Sequence, residues 1–209
     1  MSNTGIVTLR EKHQQQRTVV VSGIGRSGTT AMIRALYSMG LPKTGKLTTA
    51  TQDDHSIGQH LNAADRGKLV DEVTRRDNLH DCWGFKWPMV FRDKHLLNVL
   101  RNPVMVLMSR DPVAIARRAA DAKRFCRMPV DQWLTQVTDA NHDMLRFALH
   151  ETTMPVMLCS YEKLITQPVT CLRHVAKLTG LTYRDASEIR LLDRRYLGHN
   201  TRRFEATGD

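Results

Sequence analysis

The chain has 209 residues, of which 41% are hydrophobic and 25% are charged, and its formal net charge is +10. These proportions are typical of a globular protein with a buried core, and they exclude a fibrous or wholly disordered chain. The longest apolar runs are too short to span a bilayer, and the N-terminus lacks the apolar stretch of a secretory signal. We therefore expect a cytoplasmic protein with one domain over residues 1–209 and no membrane span.

The positive charge indicates an anionic partner. It is spread over the chain in doublets such as Arg75-Arg76 and Arg117-Arg118, and no long basic run or aromatic-interleaved stripe is present. This distribution favours a small anionic ligand over nucleic acid. The four cysteines are far apart and lack zinc-ligand spacing, so we predict reduced thiols and no metal site.

The first predicted unit is a strand, a glycine loop and a helix. The residues from Val19 to Leu36 read VVVSGIGRSGTTAMIRAL, and the apolar helical period continues to Met39 before Gly40 and Pro42 end it. Backbone N–H groups of such a loop, together with those of the new helix, form an anion-binding nest. This unit therefore predicts a phosphate or sulfate site.

The middle of the chain is more polar. Residues Pro42 to Asn62 show no sustained period and are predicted to form a long loop, which is typical of a functional segment. A polar helix is expected over Ala63 to Arg76, a short strand over Cys82 to Lys86, and a helix from Pro88 to about Leu100.

The remaining elements alternate between strand and helix. We predict a strand at Pro103 to Ser109, a helix from Arg110 to Phe125, a long amphipathic helix from Val130 to Ala148, a strand at Met154 to Ser160, and a helix at Pro168 to Thr179 capped by Gly180. The alternation indicates an α/β fold: a three-layer, P-loop-like parallel sheet with helices on both faces. Residues beyond about 194 form a basic tail.

The glycine loop differs from that of ATP-binding proteins. Gly23 and Gly28 have the spacing of G-x-x-x-x-G-K-[ST], but Thr29 replaces the lysine and Arg26 supplies the cation. A magnesium-binding acid is expected at the end of a second apolar strand, where this sequence has Ser109 and Arg110. Two anion-binding points without a metal-binding acid between them suit a nucleotide that carries phosphate at two separate places.

These residues resemble the sulfotransferase superfamily that uses 3′-phosphoadenosine 5′-phosphosulfate (PAPS). Gly23 to Thr30 is similar to the arginine-type donor loop of tyrosylprotein and bacterial carbohydrate sulfotransferases. Val104 to Arg118 resembles the family's strand, R-[DN]-P and helix, and Cys159 to Leu181 resembles its S-Y-E-x-L stretch. The three motifs follow the family's order and span most of the chain.

The resemblance implies roles for individual residues. Arg26 would hold the 5′-phosphosulfate together with the rest of the loop, which comprises Gly25, Ser27, Gly28, Thr29 and Thr30. Arg110 would hold the 3′-phosphate, and Arg118 stands eight residues later, where the family has a serine that shares this phosphate. Lys86 in GFKWP looks like the family's K-x-P element near the leaving group.

The resemblance also implies an acceptor hydroxyl and a general base that follows the first helix. The stretch TQDDHS offers Asp53, Asp54 and His55 there, and we select Asp54 and His55 as the candidates. The expected reaction is in-line, metal-independent transfer of a sulfuryl group from PAPS, with a carbohydrate acceptor preferred because of the arginine-type loop. A degenerate P-loop nucleotide kinase and a non-catalytic anion- or nucleic-acid-binding module are the alternatives. The sequence leaves open whether Arg202 or Arg203 contacts the donor.

Overall fold

The protein is described here from a computed structural model that covers residues 4–10, 14–49, 51–62, 65–121 and 128–183. Five strands form one sheet in the order β1-β5-β4-β2-β3. Their bounds are Ile6–Leu9 (β1), Arg17–Gly23 (β2), Cys82–Lys86 (β3), Val104–Ser109 (β4) and Val156–Ser160 (β5). The basic tail, including Arg202 and Arg203, lies outside the described residues.

The parallel arrangement predicted for the sheet is confirmed for β2, β3, β4 and β5, which pair in parallel. An additional edge strand, β1, runs antiparallel to β5 and pairs Ile6 with Cys159. The sequence analysis did not predict β1, because its four residues are only partly buried and lie between polar segments. Pairing with β5, a tertiary contact, is what makes this segment a strand.

Helices cover both faces of the sheet, as predicted. Their bounds are Thr29–Ser38 (α1), His55–Asn62 (α2), Arg66–Leu79 (α3), Lys94–Val99 (α4), Pro112–Ala120 (α5), Val130–Arg146 (α6), Tyr161–Thr166 (α7) and Pro168–Thr179 (α8). Helices α1, α7 and α8 pack on one face, and α2, α3, α4 and α6 pack on the other. Within the described ranges, no helix combines the length and the apolar character that crossing a membrane requires.

The central strands are buried on both sides. On β2, Val19 and Val21 belong to the core beneath α1 and α8, whereas Val20 belongs to the core on the opposite face. Because successive side chains of a strand point to opposite faces, a strand covered on both faces is apolar throughout. This explains why β2 and β4 were predicted correctly from continuous apolar runs.

The segment predicted as a loop, Pro42 to Asn62, contains structure of its own. Lys43 forms a parallel bridge to Gly84 of β3, Leu47 forms an antiparallel bridge to Asp54, and the helix α2 follows. The sequence analysis missed α2 because Gly58, a residue that disfavours helices, lies within it. A Cβ atom at Gly58 would overlap the Trp87 ring, so glycine here permits close packing against the chain that follows β3.

The predicted helix from Pro88 to Leu100 is broken. Met89 has a φ of 58°, a left-handed conformation that ends any helix at that point, and a 3₁₀ turn at Val90–Arg92 precedes α4. The Asp93 carboxylate then caps α4 by accepting the Leu96 N–H at 2.9 Å. Met89 adopts its conformation while donating its N–H to the Gly23 carbonyl at 2.9 Å, a contact between β2 and the segment after β3.

A buried ion pair fixes the segment before α2. Arg76 of α3 is fully buried, and its guanidinium contacts Asp54 at 2.5 Å and Glu72 at 2.7 Å. It also lies 5.1 Å from the centre of the Trp83 ring. Burial works against the charged form of Arg76, but the hydrogen bonds and charges of Asp54 and Glu72 outweigh it and raise the pKa of Arg76. The pair thus anchors the segment to α3.

We predict that Asp54→Asn lowers the free energy of unfolding by about 3 kcal/mol, because it leaves the buried Arg76 with only Glu72 as a charged partner. Chemical denaturation measures this loss. Asp71→Asn, at an exposed position of α3, is the matched control and should change stability by less than about 0.5 kcal/mol. Equal stability of the two variants would contradict the anchoring role.

Candidate functional site

The glycine loop lies between β2 and α1. Gly28 has a φ of 98° and precedes the first helical residue, Thr29, and Arg26 has a φ of 74°. The N–H groups of the first turn of α1 have no intrahelical partner, because an α-helix begins to bond only at its fifth residue. The helix dipole adds partial positive charge at the same place. The loop therefore has backbone donors of the kind that bind anions at helix N-termini, and its role as an anion site stays a prediction.

The side chains of the loop differ in exposure and in hydrogen bonding. Arg26 is exposed, whereas Ser27 is fully buried. The Ser27 hydroxyl packs beside Gly23, where a Cβ atom would come within 2.7 Å of it, and it has no hydrogen-bond partner within the described part of the chain. The Thr30 hydroxyl donates to the Thr51 carbonyl at 2.9 Å, which joins the loop to the segment before α2.

Arg110 follows β4 and reaches across to the loop. Its Nη1 donates to the Arg26 carbonyl at 3.2 Å, and its guanidinium lies 4.7 Å from the centre of the Tyr161 ring. Its Nε is buried without a hydrogen-bond partner among the described residues. The Tyr161 ring also packs against Gly28, where a Cβ atom would overlap it. Tyr161 therefore holds Arg110 next to the loop, a role that the sequence analysis did not assign.

Glu162, in the first turn of α7 after β5, supports this arrangement. Its carboxylate accepts the Asp111 N–H at 3.1 Å and the Ser160 hydroxyl proton at 3.0 Å. The carboxylate of Asp111 caps α5 by accepting the Ala114 N–H at 2.7 Å. The R-D-P and S-Y-E stretches are thus in direct contact, and together they fix the position of Arg110. Their order in the sequence does not show this contact, because only the pairing of β4 with β5 creates it.

Lys86 is the last residue of β3 and pairs with Val21 of β2, so it lies beside the strand that leads into the loop. Its ammonium group contacts Asp53 at 2.6 Å, the Thr51 carbonyl at 2.7 Å and the Thr30 hydroxyl at 3.3 Å. Burial lowers the pKa of Lys86; Asp53 opposes this effect, and the positive charges of Arg26 and Arg34 add to it. The structure therefore brings Lys86 to the loop.

The three residues selected or considered as a base have different environments. Asp54 is fully buried and paired with Arg76. His55 is exposed at the start of α2. Asp53 contacts Lys86. The structure does not support Asp54 as a general base, because its carboxylate is enclosed and serves as the partner of a structural cation.

Arg118 lies in the last turn of α5 and is exposed. Burial lowers the pKa of Arg26, and the charge of Arg118 lowers it further, so the two guanidinium groups act on one another. Among the described residues, the side-chain contacts of Arg110 are with Arg26 and Tyr161, so they do not link Arg118 to the predicted 3′-phosphate position. Its assignment therefore stays a prediction, supported by its electrostatic proximity to the loop.

The donor set at this edge of the sheet fits an anionic group. Gly25 faces open space, since a Cβ atom there would meet nothing within 4 Å, and the Ser27 hydroxyl and Arg110 Nε lack partners within the described residues. Three cations, Arg26, Lys86 and Arg110, come from the ends of three neighbouring strands. Within the ranges described, no group of three or more His, Cys, Asp or Glu residues could hold a metal ion.

Comparisons with known proteins agree with this geometry at the level of the fold. No family model matches the chain, and no curated protein matches it in sequence. The sulfotransferase domain of the Synechococcus PCC 7002 olefin synthase matches with a TM-score of 0.55 at 11% identity, over 92% of this chain and 86% of that one. Sulfotransferase STF1 of Mycobacterium tuberculosis matches with a TM-score of 0.56 at 16% identity, over 87% and 72%.

Mouse sulfotransferase SULT7A1, solved with 3′-phosphoadenosine 5′-phosphate (PAP), matches with a TM-score of 0.54 at 10% identity, over 87% of this chain and 65% of that one. The predicted resemblance to sulfotransferases is therefore confirmed as a shared fold, a five-stranded sheet with helices on both sides. The roles of individual residues are not tested by these likenesses.

Two glycines of the loop should respond differently to alanine. Gly28→Ala should lower the free energy of unfolding by about 2 kcal/mol or more, because Gly28 has a left-handed φ and its Cβ would overlap Tyr161. Gly25→Ala should leave stability unchanged or raise it by up to about 1 kcal/mol, since its Cβ would enter open space. Thermal or chemical unfolding distinguishes the two. Similar losses for both would contradict the loop geometry.

Proposed function

We propose that this protein is a PAPS-dependent sulfotransferase. The observation that carries the proposal is the convergence of Arg26, Lys86 and Arg110 on one glycine loop. The end of β4, where ATP-using relatives of this loop have a metal-binding acid, instead has Ser109 and the cation Arg110. The shared fold supports the same reading, and one of the similar proteins was solved with PAP.

Each cation has a distinct role in the proposal. PAPS supplies the sulfuryl group and leaves as PAP. Arg26 and Lys86 neutralise the charge that grows on the departing oxygen, and the backbone donors of Gly28 to Thr30 together with the Ser27 hydroxyl hold the 5′ group. Arg110, fixed by Tyr161, holds the 3′-phosphate together with Arg118. These residues supply in-line positioning and charge neutralisation without a resident metal.

The acceptor in this proposal is a hydroxyl group, and a carbohydrate is preferred because of the arginine-type loop. We propose that the base comes from the exposed side of the segment before α2, where Asp53 and His55 retain access to solvent. Asp54 no longer belongs to this set, since it neutralises the buried Arg76.

We also propose a cytoplasmic location. Cys82, Cys159 and Cys171 are free, and Cys126 lies outside the described residues. Cys159 and Cys171 are both fully buried, and the hydrogen bond with Cys171 is the main cause that raises the pKa of the Cys159 thiol. Two neighbouring unpaired thiols suit a reducing compartment.

The first test concerns the donor. PAP should raise the melting temperature of the protein in the presence of EDTA, because its two anionic ends match the two groups of cations. A ligand at one hundred times its Kd adds about 2.7 kcal/mol of stability. ATP, which lacks a 3′-phosphate, should add much less with or without magnesium.

Two results would overturn the proposal. Equal stabilisation by magnesium–ATP would favour a nucleotide kinase. Equal stabilisation by PAP and by unrelated polyanions, with a steep loss on adding salt, would favour a non-catalytic anion-binding module.

The second test concerns Arg118. Arg118→Ala should reduce the preference for PAP over AMP by roughly 1.5 to 3 kcal/mol, the loss expected for one charge-assisted hydrogen bond. Arg117→Ala removes the same charge from the neighbouring exposed position and should leave this preference unchanged. Isothermal titration calorimetry with both nucleotides measures the difference. If Arg118→Ala keeps the wild-type preference for PAP over AMP, Arg118 is not the source of that preference, and Arg110 or the basic tail is.

A further inference from the structure

The ammonium group of Lys86 is enclosed by three oxygen atoms, through one ion pair and two hydrogen bonds. It carries three protons, and three acceptors surround it: Asp53 Oδ1 at 2.6 Å, the Thr51 carbonyl at 2.7 Å and Thr30 Oγ1 at 3.3 Å. Its side chain is only 2% exposed, so solvent hardly competes for these protons. Lys86 can therefore neutralise a further anion only by giving up one of its present partners.

Asp53 is held in place with Oδ1 buried against Lys86, while its side chain as a whole is partly exposed. Its Oδ2 accepts the Thr51 hydroxyl proton, and its N–H donates to the Thr48 hydroxyl at 3.0 Å. Its side chain is 20% exposed, whereas that of Asp54 is 1% exposed. The two carboxylates have different cationic partners, at 2.5 Å for Asp54 and 2.6 Å for Asp53. Arg76 thus takes Asp54, and Lys86 takes Asp53.

Two positive charges and one negative charge act on Lys86 within the described part of the chain. Burial is the main cause that lowers the pKa of Lys86, and Arg26 and Arg34 lower it further. Asp53 is the one carboxylate that acts on Lys86 within the described part of the chain. A doubly charged anion at the glycine loop would compete with Asp53 for the same ammonium group, because Arg26 and Lys86 share this environment.

We propose that Asp53 is the general base, and that its ion pair with Lys86 prevents it from accepting a proton until the anionic donor occupies the glycine loop. This inference rests on the proposed sulfotransferase function. When Lys86 turns its ammonium to the donor, Asp53 becomes free to accept a proton. Until then both carboxylate oxygens of Asp53 are occupied, because the Lys86 ammonium lies 2.6 Å from Oδ1 and the Thr51 hydroxyl donates to Oδ2.

The transfer balances with these two residues. The acceptor oxygen forms a bond to sulfur while the bond between sulfur and the 5′-phosphate oxygen breaks. The acceptor proton passes to Asp53, and the electron pair of the broken bond remains on the phosphate oxygen, whose charge Lys86 neutralises. Water can replace the acceptor alcohol, so slow hydrolysis of PAPS reports on the same base without knowledge of the natural acceptor.

The test compares PAP affinity with PAPS hydrolysis in single variants. Lys86→Met should weaken PAP binding tenfold or more, since it removes a cation. Asp53→Asn and Asp53→Ser should bind PAP as tightly as the wild type or up to about tenfold more tightly, because Lys86 no longer has to leave a carboxylate. Both Asp53 variants should lower the rate of PAPS hydrolysis about a hundredfold, as expected for loss of a general base. Calorimetry and detection of released PAP provide the two readouts.

Asp71→Asn is the matched control, since it removes one negative charge at an exposed position of α3 and should change neither readout. Two results would overturn the inference while the proposed function stands. In one, the Asp53 variants lose as much PAP affinity as Lys86→Met; in the other, they hydrolyse PAPS at the wild-type rate. Failure of the wild-type protein to bind PAP would overturn the proposed function and this inference with it.

Discussion

Arg76 is fully buried, and a guanidinium group in that position is tolerated only where carboxylates neutralise it. Asp54 and Glu72 supply them, and Gly45 allows the chain to come this close, because a Cβ atom there would overlap the guanidinium. This contact holds the segment before α2 against α3 and beside the end of β3. The neighbouring Asp53 contacts a different cation, Lys86, at 2.6 Å.

A second constraint is the gathering of positive charge at the carboxyl ends of the strands. Arg26 and Arg110 follow β2 and β4, Lys86 is the last residue of β3, and parallel pairing brings these strand ends to one edge. Tyr161 and Glu162, which follow β5, fix Arg110 from the other side. Like charges so close together repel one another, and an anionic ligand relieves that repulsion. This arrangement supports the proposed binding of a multiply charged anion.

The likeness to sulfotransferases at 10–16% identity has a physical explanation. The proposed anion site depends mainly on backbone N–H groups, on glycines that permit unusual φ angles, and on strands whose main requirement is to be apolar. Many sequences satisfy these conditions. Details such as Arg118, and the pairing of Lys86 with Asp53, depend on particular side chains and require the experiments that address those residues directly.

The sequence by itself determined most of the sheet and the donor loop. The apolar runs of β2, β4 and β5 and the spacing of Gly23 and Gly28 are local signals, and each led to a correct element. Arg110 was also predicted at the site, because it directly follows a buried strand and such ends meet at one edge. These features depend on residues that are close in the chain.

Tertiary structure decided which acidic residue is available. Asp53, Asp54 and His55 are adjacent in the sequence, and no local pattern shows that Arg76, 22 residues after Asp54, takes that carboxylate. The strand β1 and the helix α2 were also missed, because pairing with Cys159 and packing of Gly58 against Trp87 stabilise them. Local propensity identifies elements whose stability is local, whereas the direction of a charged side chain depends on distant partners that only folding brings together.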